Sequence, residues 1–460
     1  MASFLHLAHG VSIGREDLPI PVELFNLGAA LVLIVSFLGL AVLWRRPKLQ
    51  EPQERTAAQF PRRPLEILCG LVGLGLFGLL VYAGLAGAQN QQENITPTFV
   101  YVHFWVGIPL LSLFLGDVFR ALNPWLALGR AAGWLGTRIV GGDAPPPLTY
   151  PQRLGRWPAA VGLLVFAWVE LVAPWGQDPS ALALCMLGYA AVMLVGMTLF
   201  GVEPWTRNAD AFSVYFGLFA GLSPLRWEAA RLHVRRPLAG VAQIIALPGT
   251  VALLVVMIGT TTFDGFTGGP IWTGGDADGW QGLAVTLTDG FAAVGFAQDT
   301  ALELAFTAGL FLAVAAIGGF YRLGIAGVRT VDRARPAPAL AGTFAHTLVP
   351  IALAYLLAHY FSLLAFTGQA TAYLASDPLG TGADLFGTAA ATIDYTILSA
   401  SAIWYVQLGA LILGHVAGLV LAHDRALALY GDNKVATRSQ YWMLAVMVGF
   451  TSLALYLLSA

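Results

Sequence analysis

The sequence predicts an all-α fold, a polytopic transmembrane helical bundle of about ten spans with both termini outside. Three observations predict it. Apolar residues make up 57% of the 460 and charged ones only 11%, with a mean hydropathy of +0.71. A soluble domain carries about 25% charged residues, so water is not the main solvent of this chain. Apolar runs near the roughly 20 residues that cross a bilayer core recur along the sequence. Lys and Arg fall almost wholly in alternate connections between those runs.

The runs lie at about 22–44, 65–87, 99–119, 158–173, 180–201, 238–261, 300–321, 343–366, 397–421 and 441–459, within one integral-membrane domain, 1–460. Of the 24 basic residues, 23 follow the first, third, fifth, seventh and ninth runs: Arg45 to Arg63, Arg120 to Arg156, Arg207 to Arg236, Arg322 to Arg335 and Arg425 to Arg438. Only Arg15 lies elsewhere. The positive-inside rule then puts those connections in the cytoplasm and both termini on the extracytoplasmic side of the plasma membrane. The opening residues are too polar, and lack the basic start, for a secretory leader. Cys69 and Cys185 sit in apolar runs and read as small buried hydrophobes.

The outer connections have the opposite character. Residues 262–299 hold Asp264, Asp276, Asp278, Asp289 and Asp299 with no basic residue, and 367–396 add Asp377, Asp384 and Asp394. Gly-rich and semi-apolar, they are expected to fold back as capping loops or re-entrant turns. Their charge serves either a cation-attracting vestibule or solubility. Asp276-Ala-Asp278-Gly is a fragment of a calcium loop without its downstream Glu. On the basic side, Asn123-Pro124-Trp125 and Glu203-Pro204-Trp205 read as Trp anchors at a membrane boundary, and 211–222 as a segment lying in the interface. The two halves show no internal repeat, unlike many transporters.

The stretch His346 to Phe361 carries two histidines, two tyrosines and a proline inside a span. Ionisable side chains in a span face other helices, water or a ligand. A helical rise separates His346 from His359 by roughly 20 Å and about 140° around the axis, so they cannot share one site. His359 and Tyr355 do share a face, and Pro350 is a bend. By depth, an outer layer holds His103, Glu170, Glu303, His359 and Asp394, with His6 and His9 in reach on the amino-terminal tail. His359, Glu303 and Asp394 are the catalytic candidates. His103, His359, Glu303, His6 and His9 are the candidate ligands of a divalent metal, zinc or copper, with packing roles the alternative. An inner layer holds Asp117, His346, His415 and His423-Asp424-Arg425. His415 and His423, about 80° apart, are expected to border one cleft, and Asp424 with Arg425 to form a solvated pair.

The phrases GREDLPIP (14–21), GDVFRALNPW (116–125), NADAFSVYFGLFAGLSP (208–224), TTFDG (261–265), HTLVPIALAYLLAHYFSLL (346–364), WYVQLGALILGHVAGLVLAHDRALALY (404–430) and ATRSQYWML (436–444) resemble those of prokaryotic membrane proteins known as fenitrothion hydrolases. The resemblance runs over nearly the whole chain. It implies an organophosphate-hydrolysing membrane protein acting with a related membrane subunit, and carries no catalytic residue with it. Three functions follow: a hydrolase using metal-bound water, a transporter or channel, and a membrane subunit of a redox complex with haem between pairs such as His103 and His359. Ser112, Ser213 and Ser362 lie in ordinary apolar surroundings outside any GxSxG motif. The bilayer is the expected partner, and nucleic acid is not.

Overall fold

A computed structural model describes residues 22–458 except 52, 142–145, 229 and 276–280. Helix α1 spans Val22–Leu43, α2 Arg62–Ala86, α3 Ile95–Leu115, α4 Pro124–Val140, α5 Trp157–Leu171 and α6 Pro179–Phe200. Then come α7 (Val202–Asn208), α8 (Ala211–Ala220), α9 (Thr250–Thr267), α10 (Gly282–Ala293), α11 (Gln298–Val328), α12 (Ala337–Ser376), α13 (Ala400–Tyr430) and α14 (Tyr441–Leu458). Seven of these, α2, α3, α6, α9, α11, α12 and α13, are long and apolar enough to cross a membrane. The protein is a helical membrane bundle.

Burial sorts the helices. On α1, α2 and α6, Leu31, Val35, Leu68, Leu71, Leu184 and Val195 are exposed. Apolar surface on that scale belongs against lipid. Helix α9 is buried along nearly its whole length and packs on α5, α11 and α12, while α12 lies along α13. The α12–α13 seam is close because Gly414 sits over Pro350 and Ala354, where a Cβ would come within 2.3 Å of the Ala354 methyl.

Several expectations change. The sixth apolar run does not begin a helix at 238: 239–242 is one short turn, and α9 starts at Thr250 and reaches Thr267. The polar TTT run is accommodated because Thr260, Thr261 and Thr262 donate their hydroxyls to the carbonyls of Val256, Met257 and Ile258. The segment Ala211–Ala220 is not interfacial. Phe212, Tyr215, Phe216 and Phe219 are all buried, since a helix apolar on every side has no face to give to water. Trp105 stacks on Tyr215 with ring centroids 4.7 Å apart, and Phe104 meets Phe212 at 4.7 Å. Helix α3 contains a π-helical stretch, Phe99–Gly107, that carries His103 and Trp105; such stretches are rare and cluster at functional sites.

Among the described residues the basic connections also hold a small antiparallel sheet: β1 (Arg55–Gln59), β2 (Leu225–Glu228) and β3 (Arg231–Val234), ordered β1-β3-β2. Cys69 is half-buried, whereas Cys185 is exposed on α6, a position for an apolar thiol against lipid. The second acidic loop, 367–396, satisfies its own carboxylates. Asp377 accepts from the backbone of Thr381 (3.0 Å) and Gly382 (2.6 Å), and Asp384 from the Ser376 hydroxyl (2.6 Å). Asp394 accepts from the Thr396 hydroxyl (2.6 Å) and amide (2.7 Å). These bonds, led by the Thr396 hydroxyl for Asp394, hold the carboxyls below their usual range. The calcium-like fragment at 276–278, like His6 and His9, lies outside the described residues.

Candidate functional site

Asp264 stands one turn before the end of α9 and is 2% exposed. A carboxylate there needs donors, and consecutive residues of α12 supply them. The Tyr360 hydroxyl donates to Asp264 Oδ2 at 2.7 Å, and His359 Nε2 meets the same oxygen at 2.8 Å. His359 reaches Asp264 through Nε2, so Nδ1 is the ring nitrogen on its other edge. That second nitrogen lies on the Gly265 side. There a cavity of about 30 Å³ opens between Thr261, Thr262, Tyr355 and His359. It is sized for water. Glu170, at the end of α5, lies within electrostatic range of both Asp264 and Tyr360.

The other outer-layer candidates go elsewhere. His103 Nε2 is hydrogen-bonded to the Thr371 hydroxyl, and its ring lies 5.9 Å from that of Phe99. Glu303, on α11, is half-buried, and its carbonyl accepts from Thr307 at 2.7 Å. Asp394 is exposed and caps its own turn. Among the described residues, no three His, Cys, Asp or Glu side chains converge to hold a metal, so His103, His359 and Glu303 do not form one group. His359 and Asp264 could contribute two ligands. His103 and His359, the pair considered for haem, both engage Nε2 with protein partners.

Sequence reading placed Asp264 in a loop and so missed the centre of the site. The available signal was the unbroken Thr260-Thr261-Thr262-Phe263-Asp264, whose threonines can satisfy themselves on a helix.

Two further buried carboxylates organise the basic side. Asp210 is fully buried and accepts from Ser213 Oγ (2.7 Å), Trp125 Nε1 (2.8 Å), Tyr189 OH (2.8 Å) and Asn123 Nδ2 (3.0 Å). The Asn-Pro-Trp phrase is therefore a ligand set for a carboxylate, not an anchor in lipid. The Glu-Pro-Trp phrase differs from it. Glu203 takes Arg120 at 2.7 Å and Arg130 at 3.1 Å, while Trp205 stacks on Phe200. Asp424 is not a solvated ion pair either. It is fully buried and accepts from Lys48 N (2.5 Å), Gln50 Nε2 (2.7 Å) and Trp44 Nε1 (3.0 Å), clamping the chain that leaves α1. Arg425 instead donates to the carbonyl of Ala242 at 2.5 Å. His415 and His423 share no cleft: the first faces Tyr355 and Phe450, the second bonds to Trp44 O and Gln440.

Comparison of this chain with protein-family models, with curated proteins and with solved structures finds no match.

Proposed function

We propose that this protein is a multi-pass hydrolase of the plasma membrane in which the Asp264–His359 pair activates water within the bundle. The observation that supports it is the 2.8 Å contact between His359 Nε2 and Asp264, with the other face of the imidazole on a water-sized cavity. A carboxylate that fixes one imidazole nitrogen leaves the other oriented as a general base. Water at His359 Nδ1 would lose its proton to that nitrogen as its oxygen attacks an ester or phosphotriester from the apolar phase. The imidazolium would then return the proton to the leaving group. The Thr261 and Thr262 hydroxyls at the cavity donate to the carbonyls of their own helix. The resemblance to fenitrothion hydrolases supports the same reaction class and a related membrane subunit. The lopsided basic residues support ten spans and extracytoplasmic termini.

Turnover of a p-nitrophenyl phosphotriester by purified protein in lipid vesicles tests this reading. His359→Gln and Asp264→Asn should each lower kcat by 100-fold or more while the protein stays folded, since a positioned base contributes about 10²–10⁴. Wild-type turnover no faster than that of empty vesicles would refute it. A second reading, proton-coupled transport, is favoured by Glu170 lying in range of Asp264, because neighbouring carboxyls within a bundle mark proton relays.

A further inference from the structure

The basic face holds more positive charge than its carboxylates pair. Glu203, on α7, takes three guanidiniums: Arg120 at 2.7 Å, Arg130 at 3.1 Å and Arg207 at 3.2 Å. One carboxylate thus answers three cations. Arg156, at the start of α5, has less. Among the described residues its guanidinium meets the Thr250 hydroxyl at 3.3 Å and no carboxylate, and its Nε is buried without a partner. A guanidinium does not shed its charge, so burying one without a counter-ion is costly.

Arg120, Arg156 and Arg207 line one cavity of about 180 Å³, against about 30 Å³ beside His359. Val214, Leu218 and Ile244 give it an apolar side. The acid that shares it is Asp117, which makes no ion pair among the described residues. Its Oδ1 accepts the Arg120 amide at 3.0 Å, and burial raises its carboxyl above the usual range, so it neutralises the arginines weakly. Asp210, within electrostatic range of Asp117, is saturated by its own four side-chain donors. A second cavity of about 340 Å³ shares Arg120 and Arg207 and reaches Arg226 and the exposed Trp227 of the small sheet. Its remaining acids are taken, Glu66 by Arg62 at 3.0 Å and Glu228 by Arg226 at 3.1 Å. Six arginines line the two cavities, against Asp117 and three glutamates.

We propose that the cavity lined by Arg120, Arg156 and Arg207 binds a terminal phosphate group, with the wider cavity as its entrance from the basic face. Sorting of arginine by membrane side leaves each side chain in water. Here three are turned into one recess with too little acid to answer them. Three guanidinium forks offer more donors than the two oxygens of a carboxylate accept, and a phosphate monoester brings three charged oxygens. Its substituent would lie against Val214, Leu218 and Ile244. Binding makes and breaks no covalent bond. Arg156 and Glu170 stand at opposite ends of α5, about 21 Å apart at a rise of 1.5 Å per residue, so this site is separate from Asp264 and stands whether or not esters are hydrolysed there.

Equilibrium dialysis of the purified full-length protein, in a maltoside detergent, against radiolabelled inorganic phosphate tests the site. Wild type should bind saturably, and Arg156→Gln should weaken binding about tenfold or more, the effect of losing a charged hydrogen-bond donor. Arg207→Gln should do the same and keeps the test open if the first variant does not fold, since that side chain is 68% exposed. Arg138→Gln, on the same face over Trp134 and outside both cavities, should bind as wild type does. A second arm separates the sources of the phosphate: native mass spectrometry of protein released from phosphatidylcholine vesicles with and without phosphatidic acid. Phosphatidic acid held by wild type and lost from Arg156→Gln, without binding of inorganic phosphate, would assign the site to a lipid headgroup. Inorganic phosphate bound without retained lipid would assign it to a soluble ligand. Binding of neither, an equal loss in Arg138→Gln, or wild-type affinity in a folded Arg156→Gln would overturn the site.

Discussion

At the scale of single residues, three buried carboxylates explain more of this molecule than its histidines do. Asp264, Asp210 and Asp424 are each at most 2% exposed and each gathers donors from distant parts of the chain. A buried carboxylate is expensive unless every lone pair is used, so its partners move with it energetically. Replacing Asp424 with Ala strands the amide of Lys48, the amide of Gln50 and the indole of Trp44, and should cost about 3 kcal/mol or more. Chemical denaturation in detergent checks this, and α1 should become the first region open to proteolysis. His359 was legible in the sequence because an imidazole inside a span stands out. Asp264 was not, because an aspartate after three threonines reads as the beginning of a loop. Only its neighbours on α12 reveal what it binds.

At the scale of elements, the ten apolar runs each contain a helix, though the sixth is displaced by about a turn or more at both ends. Three features escaped the apolar pattern: the π-helical turn at His103, the buried α8, and the small sheet in the basic connections. These depend on partners far away in sequence, which periodicity does not register. Helix α7 shows the same dependence. Burial raises the Glu203 carboxyl, but Arg120 and Arg130 outweigh it and hold the group at about 2, below its ordinary 4.5. A depressed carboxyl contributes stability above its unfolded value, and that contribution is lost as pH falls through the folded one. Thermal stability should therefore drop between about pH 4.5 and 2 by a step missing in Glu203→Gln. The step should be small, about 1 kcal/mol or less, since the Glu203 side chain is 42% exposed and water screens the pairs.

For the whole molecule, composition and the placement of basic residues carried the class almost unaided, because a bilayer rewards apolar length and sorts charge by side. Single cysteines placed at Lys434 and Ala372, both exposed, in a background lacking Cys69 and Cys185, should react with impermeant reagents from opposite sides of the membrane. Reaction from one side would reverse the topology. Chemistry was less legible, since the groups that meet at Asp264 come from α9 and α12, residues 95 apart. The most direct test of water activation there is chemical rescue. His359→Gly removes the imidazole beside Gly265 and should lower phosphotriester turnover 100-fold or more. Added imidazole should restore it in a saturable manner, with no effect on wild type. A folded His359→Gly protein that turns over substrate at the wild-type rate would contradict the account.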